Sequence, residues 1–320
     1  MARGTKPINA NPADAILIGD THFMTRQPEC RTDDFMKAMA DKLDTIIALQ
    51  TEHDNCPVLH SGDVFDEWFL HKGEQWLMTL LIRAVKNWIC VPGQHDLPQH
   101  NLELYRKSNL AVLEEAGRVE VLLDSNMPKA VGIAAITGFP WGTAPEPSSL
   151  KGPSIALIHR MAYPGKPPYP GAENDGGTTK ALMRKMKGFD LIVTGDNHET
   201  FVYGQADVDA GLVKNEQLLV NPGSMMRMTA AQADHEPCVF LWWAGDNRVE
   251  RVVLPHEKDV ISRDHIERRQ ERDERIAAWV ERIGEGDVDL ELGFKENLDR
   301  HMKRHKVPDA VQDVVREVTE

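Results

Sequence analysis

Short apolar runs recur through most of the chain, at residues 15–18, 58–60, 88–91, 131–137, 155–158, 191–194, 218–220 and 239–243. Runs of this length, bounded by polar and turn-forming residues, predict buried β-strands. A helical repeat separates the early ones. Phe35, Met36, Met39, Leu43, Ile46 and Ile47 follow the i, i+3, i+4 spacing, and Thr32, Asp33 and Asp34 mark a helix start. Trp76, Leu77, Leu80, Leu81, Ala84 and Val85 form a second apolar face. Strands alternating with helices predict an α/β unit with parallel pairing. The later runs lie closer together, as in hairpins or meanders. A mixed sheet pair covered by helices is the simplest architecture. Segments 145–153 and 164–177 are rich in Pro, Gly, Ser and acid and read as surface loops. No internal repeat is present.

The pattern changes near Pro255. Residues 256–320 carry 13 basic and 18 acidic side chains, so 31 of 65 positions are charged. Within them Ile276, Trp279, Val280 and Ile283 make one helical stripe, and Phe294, Leu298 and Met302 a second. Val311, Val314, Val315 and Val318 make a third, with Pro308 near its first turn. The expected organisation is a main domain over 1–255 and a charged helical appendage over 256–320. The appendage either caps the main domain or docks a partner.

Composition narrows the class. The 320 residues include 37 Lys plus Arg and 50 Asp plus Glu, a net charge of −13; 41% are apolar and 27% charged. That excludes wholesale disorder, a collagen and a disulfide scaffold. No apolar run approaches the roughly 18–20 residues of a membrane span, so no membrane partner is expected. No apolar stretch precedes Pro7, so no signal peptide is expected either. Cys30, Cys56, Cys90 and Cys238 form no C-x-x-C pair, and the expectation is a reducing cytoplasm. The acidic balance argues against wrapping DNA by net charge alone. A nuclease remains open, since its basic groove can be local or supplied by a partner.

The chemistry lies where polar residues follow the strands. Residues 15–19 run into Asp20-Thr-His22, residues 57–61 into Gly62-Asp63-Val-Phe-Asp66, and residues 88–92 into Gly93-Gln94-His95-Asp96. Residues 154–158 end in His159, and residues 191–194 in Gly195-Asp196-Asn197-His198. Five strands thus deliver carboxylate, imidazole or amide groups just past their carboxyl ends, the edge where open α/β sheets build sites. Glycine before or within four of these turns lets the backbone bend sharply. Singly, an Asp-x-His pair is a loop detail and a Gly-Asp a turn. Together, Asp, His and an amide form a ligand set for Mn, Fe or Zn. Two cations about 3.5–4 Å apart, sharing a carboxylate, clamp a phosphorus centre undergoing displacement.

In this order the five motifs resemble the signature of the calcineurin-like metallophosphoesterases, across residues 15–200. Asp20-Thr-His-Phe23, Gly62-Asp-Val-Phe-Asp66, Val91-Pro-Gly-Gln-His-Asp-Leu97 and Asn221-Pro-Gly-Ser-Met-Met-Arg227 resemble more narrowly the SbcD-like nuclease subunits of bacteria and phages. Among these, they are similar to phage recombination-nuclease subunits that work beside an SMC-type, SbcC-like ATPase. The charged tail, with Phe294-Lys-Glu-Asn-Leu298, resembles that group more weakly. The resemblance implies an α/β fold, a four-layer αββα sandwich with a small C-terminal helical appendage. It implies two divalent metals, a DNA substrate, the ATPase partner and a homodimer. Asp20 and His22 would hold the first metal with His198. Asp63 would bridge both, and Gln94, His159 and Asp196 would hold the second. His95 would be the catalytic histidine, with Asp66 hydrogen-bonded to it and fixing its charge and orientation.

Two positions depart from the family pattern. Gln94 stands where Asn is usual and Asp196 where His is usual. Both fall on the second metal and read as one coupled change, with a water as the alternative to direct ligation by Gln94. The added oxygen favours Mn²⁺ or Mg²⁺ over Zn²⁺. Elsewhere, His60 reads as a strand-end residue behind the site, and His71, His100 and His235 as loop histidines. Asn221-Pro-Gly-Ser224 reads as a tight turn near the site, with Arg227 a candidate phosphate contact. Arg26, Arg31 and Lys37 read as a solvated face. The leading function is a Mn-dependent DNA nuclease subunit in recombination, repair or phage DNA processing, exo- or endonucleolytic. The alternatives are a small-molecule phosphodiesterase or phosphatase on the same fold, and a non-catalytic scaffold.

Overall fold

A computed structural model describes residues 11–172, 176–204, 217–284 and 293–319. They form two compact units, Met1–Ile261 and Ser262–Glu320.

The first unit holds two six-stranded sheets. One is built from β1 (Ala15–Ile18), β2 (Val58–His60), β3 (Trp88–Cys90), β4 (Val119–Val121), β13 (Cys238–Trp243) and β14 (Arg248–Val253), in the order β14-β13-β1-β2-β3-β4. The β1 to β4 run is parallel, and β13 joins β1 antiparallel with Leu17 opposite Phe240. The other sheet is built from β5 (Lys129–Val131), β6 (Ala134–Phe139), β7 (Ser154–Ile158), β10 (Leu191–Thr194), β11 (Phe201–Tyr203) and β12 (Leu218–Asn221). Its order is β11-β12-β10-β7-β6-β5, parallel in its centre and antiparallel at both edges. A two-stranded pair, β8 (Ala162–Tyr163) and β9 (Gly177–Thr178), flanks the acidic loop, whose residues 173–175 lie outside the described ones.

Strand alternation sets the layers. Ala15, Leu17, Leu59 and Ile89 of the first sheet pack against Ile155, Leu157, Leu191 and Val193 of the second. The opposite residues, Ile16, Ile18 and Val58, pack under helices α1 (Phe35–Glu52), α2 (Gln75–Ala84) and α3 (Asn109–Glu115) through Phe35, Met39, Leu81 and Leu110. On the far side Ala156, Ile158 and Ile192 lie under Leu182 of α4 (Thr179–Lys185) and Met186. Helix, sheet, sheet and helix are the expected four layers. Asp34 caps α1, its carboxylate accepting from the Lys37 amide at 2.9 Å.

Local readings depart in three places. The run 131–137 is two strands joined at Gly132, whose φ of 56° makes the turn. Trp76 lies outside the buried face of α2, which is Leu77, Met78 and Leu81. Arg31 is buried rather than solvated, its guanidinium clasping Asp33. All four cysteines are free and buried.

The second unit contains α5 (Asp264–Gly284), α6 (Phe294–Arg304) and α7 (Asp309–Thr319). Met302 is buried, and Arg316 of α7 pairs with Asp299 of α6 at 2.9 Å. Ile276, Val280, Phe294, Val311 and Val314 are exposed. The side chains of Trp279, Ile283 and Val318 lie outside the described residues. The expected boundary at 255 falls inside a fastened segment. Arg227 donates to the carbonyls of Glu257 and Lys258, and the Thr32 amide donates to the Val260 carbonyl at 3.0 Å. Among the described residues, no helix is long and apolar enough to cross a membrane.

Candidate metal centre

The five motifs meet at the carboxyl ends of β1, β2 and β3 from one sheet and β7 and β10 from the other. Main-chain bonds stitch the turns together. The amides of Asp20, His22 and Phe23 donate to the carbonyls of Gly62, Asp63 and Val64 at 3.2, 3.1 and 2.8 Å. The Asp196 amide crosses to Asp20 Oδ1 at 3.0 Å, and the Met225 amide reaches the Asp20 carbonyl at 3.2 Å. Asp20, His22, Asp63 and Asp196 all hold left-handed φ values, 44°, 43°, 54° and 73°. Such backbone in non-glycine residues is sparse and clusters at functional sites.

Two glycines make room. A Cβ at Gly93 would overlap Oδ1 of Asp63, and one at Gly62 would overlap the His159 ring. With those gaps the side chains close in. His22 Nε2 lies 3.3 Å from His198 Nε2, and His159 Nε2 lies 3.4 Å from Asp63 Oδ2. Among the described residues three sets have ligand atoms within 4.8 Å of one another: Asp20 with His22 and His198, His22 with Asp63 and His95, and Asp20 with Asp63 and His159.

The hydrogen bonds that hold these groups also leave their inner atoms free. His159 Nδ1 donates to the Ser61 carbonyl at 2.7 Å, which turns Nε2 toward Asp63. Among the described residues nine buried side-chain polar atoms have no hydrogen-bond partner. Five belong here: Asp20 Oδ2, Asp63 Oδ2, Gln94 Oε1 and His159 Nε2 within the site, and His22 Nδ1, which faces the Asp66 carboxylate 3.5 Å away. Buried polar atoms are otherwise satisfied almost everywhere in folded proteins. Such a concentration of carboxylate oxygens, imidazole nitrogens and an amide oxygen fits divalent cations.

The protonation pattern points the same way. Burial pushes the Asp20 carboxyl up to about 7, against the pull of His159. Burial would also raise Asp63, but His159 and then His22 outweigh it and hold that carboxyl below the usual range. For His159 burial is overcome by Asp63, which drives it up to about 10; for His22, Asp66 and Asp63 do the same, to about 9. The buried carboxylates thus hold His22 and His159 charged, whereas burial and then the His22 charge lower His198 to about 3.

His95 stands apart from this buried set. It is exposed; its amide donates to Asp63 Oδ1 at 2.9 Å, and its Nδ1 lies 2.7 Å from the main-chain oxygen of Asp66. The expected contact from the Asp66 carboxylate is absent among these bonds. That carboxylate lies 3.5 Å from His22 Nδ1 and 3.6 Å from Arg26. Gln94 Nε2 donates to Asp196 Oδ1 at 2.7 Å.

Residues behind the site matter as much. Asp96, quoted in its motif without a role, is fully buried and accepts from the amides of Val64, Phe65 and Gly93 at 3.1, 3.0 and 3.0 Å. It locks the β2 turn to the β3 turn. His60 sits behind the site as expected, between Thr21 Oγ1 and the Gly62 amide, and burial lowers it to about 3. Asn221 donates to the carbonyls of Asn197 and Glu199 at 2.6 and 2.5 Å, and the Ser224 amide donates to the His198 carbonyl at 3.2 Å. The Asn221–Ser224 turn therefore braces the His198 loop. Arg227 is buried, its guanidinium donating to the carbonyls of Ala233, Glu257 and Lys258.

No curated protein matches this chain. A solved structure, that of TT1561 of Thermus thermophilus, is similar at 13% identity and a TM-score of 0.45, covering 77% of this chain and 100% of its own. The family model described as calcineurin-like phosphoesterase matches residues 15–200, which include all five motifs. That span is more than half of the sequence, and the chain belongs to the calcineurin-like phosphoesterases, metal-dependent hydrolases that typically bind two divalent metals.

Proposed function

We propose that this chain is a nuclease subunit that hydrolyses phosphodiester bonds of DNA at a two-cation centre, with Mn²⁺ as the favoured ion. The observation that carries the hydrolytic reading is the exposed His95 imidazole at the rim of buried, unsatisfied ligand atoms. Asp20, His22 and His198 would hold one cation, Asp63 would be shared, and His159 with the Gln94–Asp196 pair would serve the other. When bound, the cations supply Lewis acidity and an activated water for displacement at phosphorus. His95, held through Nδ1, presents Nε2 to contact the scissile phosphate or protonate the leaving oxygen. The oxygen-rich donor set suits Mn²⁺ or Mg²⁺ better than Zn²⁺.

A cleft of about 830 Å³ runs from Asp63, His95 and His198 past Tyr169 to Arg251, room for more than a single phosphoryl group. Its rim also carries Glu199, Asp234 and Glu236. An acidic rim does not attract DNA. We therefore propose that an SMC-type ATPase supplies the basic surface and that the second unit, with exposed Val280, Phe294 and Val314, docks it, within a dimer. The same rim favours the rival, a small-molecule phosphodiesterase. Four buried free cysteines suit a reducing, cytoplasmic setting.

The test combines purified protein, Mn²⁺, labelled single- and double-stranded DNA and an aryl phosphodiester. DNA cleavage that chelator abolishes and Mn²⁺ restores is the expected result. Cleavage of the aryl diester alone would favour the rival, and silence on every substrate a scaffold.

A further inference from the structure

Among the described residues Asp196 joins none of the three ligand sets and its Oδ1 accepts from Gln94 Nε2, whereas Gln94 Oε1 is buried and without a partner. We propose that Asp196 is a positioning residue rather than a metal ligand: its carboxylate orients the Gln94 amide so that Gln94 Oε1 is the ligand. The inference rests on the two-cation reading above.

The argument follows from what each group can do. A carboxylate only accepts hydrogen bonds, so an amide 2.7 Å away must turn its NH₂ toward it. The two ends of the amide then part. Nε2 is committed to Asp196 Oδ1, and Oε1 is directed away from it. Asp196 is itself fixed from behind, its amide donating to Asp20 Oδ1 at 3.0 Å while its φ of 73° turns the chain sharply there. Gln94 is fixed by its neighbours, since the next amide, of His95, donates to Asp63 Oδ1 at 2.9 Å. A glutamine side chain has three rotatable bonds before its amide and two equivalent-looking ends. Without the carboxylate, nothing among the described contacts selects oxygen over nitrogen for the inner face. A hydrogen bond from a ligand to a carboxylate also raises the electron density on the ligating atom. Asp196 thus acts on the second cation through Gln94, as carboxylates act on ligating histidines.

The experiment is calorimetric titration of the full chain with Mn²⁺ after chelator treatment, so the readout is binding and not turnover. Asp196→Ala removes the acceptor for the Gln94 NH₂, Gln94→Ala removes the proposed ligand, and the double variant removes both. The expected result is that Asp196→Ala weakens one of the two sites by about 10- to 100-fold, the usual effect of losing such an outer partner, and that Gln94→Ala loses at least as much. Because Asp196 acts through Gln94, the double variant should bind within about threefold of Gln94→Ala. Retention of the other site by each variant reports that it is folded. If the double variant loses about tenfold or more beyond Gln94→Ala, the carboxylate is itself a ligand and the proposal is overturned; equal binding by Asp196→Ala and the unsubstituted chain overturns it too. An unsubstituted chain that binds no Mn²⁺ would bring down the two-cation reading itself, and this inference with it.

Discussion

The main-chain oxygen of Asp66, and not its carboxylate, holds His95, at 2.7 Å from Nδ1. A substitution at 66 leaves that oxygen in place. His95→Ala should therefore lower turnover by about 10²–10⁴-fold while both cations stay bound. Asp66→Ala should instead weaken cation binding by about tenfold or more, through His22, and leave turnover at saturating Mn²⁺ nearly intact. Metal analysis of both variants beside their rates decides it. Loss of a cation in His95→Ala would make His95 a ligand.

Gly93→Ala tests how tightly the turns are packed. The added methyl overlaps Asp63 Oδ1 and crowds the Asp63 backbone. Asp63, like Asp20, belongs to two of the ligand sets, and as the proposed bridge its displacement should weaken both cations. The thermal midpoint should also fall, since overpacking of this kind costs about 1–3 kcal/mol. Unchanged Mn²⁺ binding would show that Asp63 can yield without consequence.

Lys42 offers a pH experiment away from the metal centre. It is 1% exposed, and among the described residues its Nζ donates to the Ala38 carbonyl alone, at 3.3 Å. Burial, then the nearby Arg31 and Arg227, lowers it from 10.5 to about 8. Between those values the unfolded chain holds a proton that the folded chain has released, so stability rises with pH across that window and the burden is greatest below it. Lys42→Met should stabilise the fold at pH 7, by up to about 3 kcal/mol. The advantage should shrink toward pH 10. Thermal midpoints of the two chains at pH 7 and pH 10 measure this, and an equal gap at both would refute the charge argument.

If the second unit docks an SMC-type ATPase as proposed, a chain ending at Ile261 should keep Mn²⁺ binding and hydrolysis of an aryl phosphodiester, and lose association with that ATPase. A chain ending at Pro255 should be less stable, because it deletes the carbonyls that Arg227 and the Thr32 amide engage. Pull-down with the ATPase and melting of both truncations separate these effects. Equal capture of the Ile261 chain and the full chain would remove the second unit from the docking surface.

The layered fold was legible because its central strands are short apolar runs buried on both sides, and the site because its ligands follow those runs directly. Edge strands were harder. β4, Val-Glu-Val, and β14, Arg-Val-Glu-Arg-Val-Val, alternate polar and apolar residues and look like loop in a scan for apolar runs. Arg31 reads as solvated and Arg227 as a phosphate contact because a guanidinium usually meets water or an anion. Their burial depends on Asp33 and on carbonyls at 233, 257 and 258, which local sequence does not reveal. The turn of Asp66, carbonyl toward one histidine and carboxylate toward another, likewise exists only once the β2 and β3 ends are side by side.

Asp20, His22, Asp63 and Asp196 adopt backbone that glycine tolerates better, at a cost on the order of 1 kcal/mol for each. Endurance and activity therefore pull these four positions in opposite directions. A library of this chain propagated only for resistance to heat should drift there toward glycine and asparagine, leaving the sheets untouched. Its survivors would be sturdier than the parent and would have forgotten how to hold a cation.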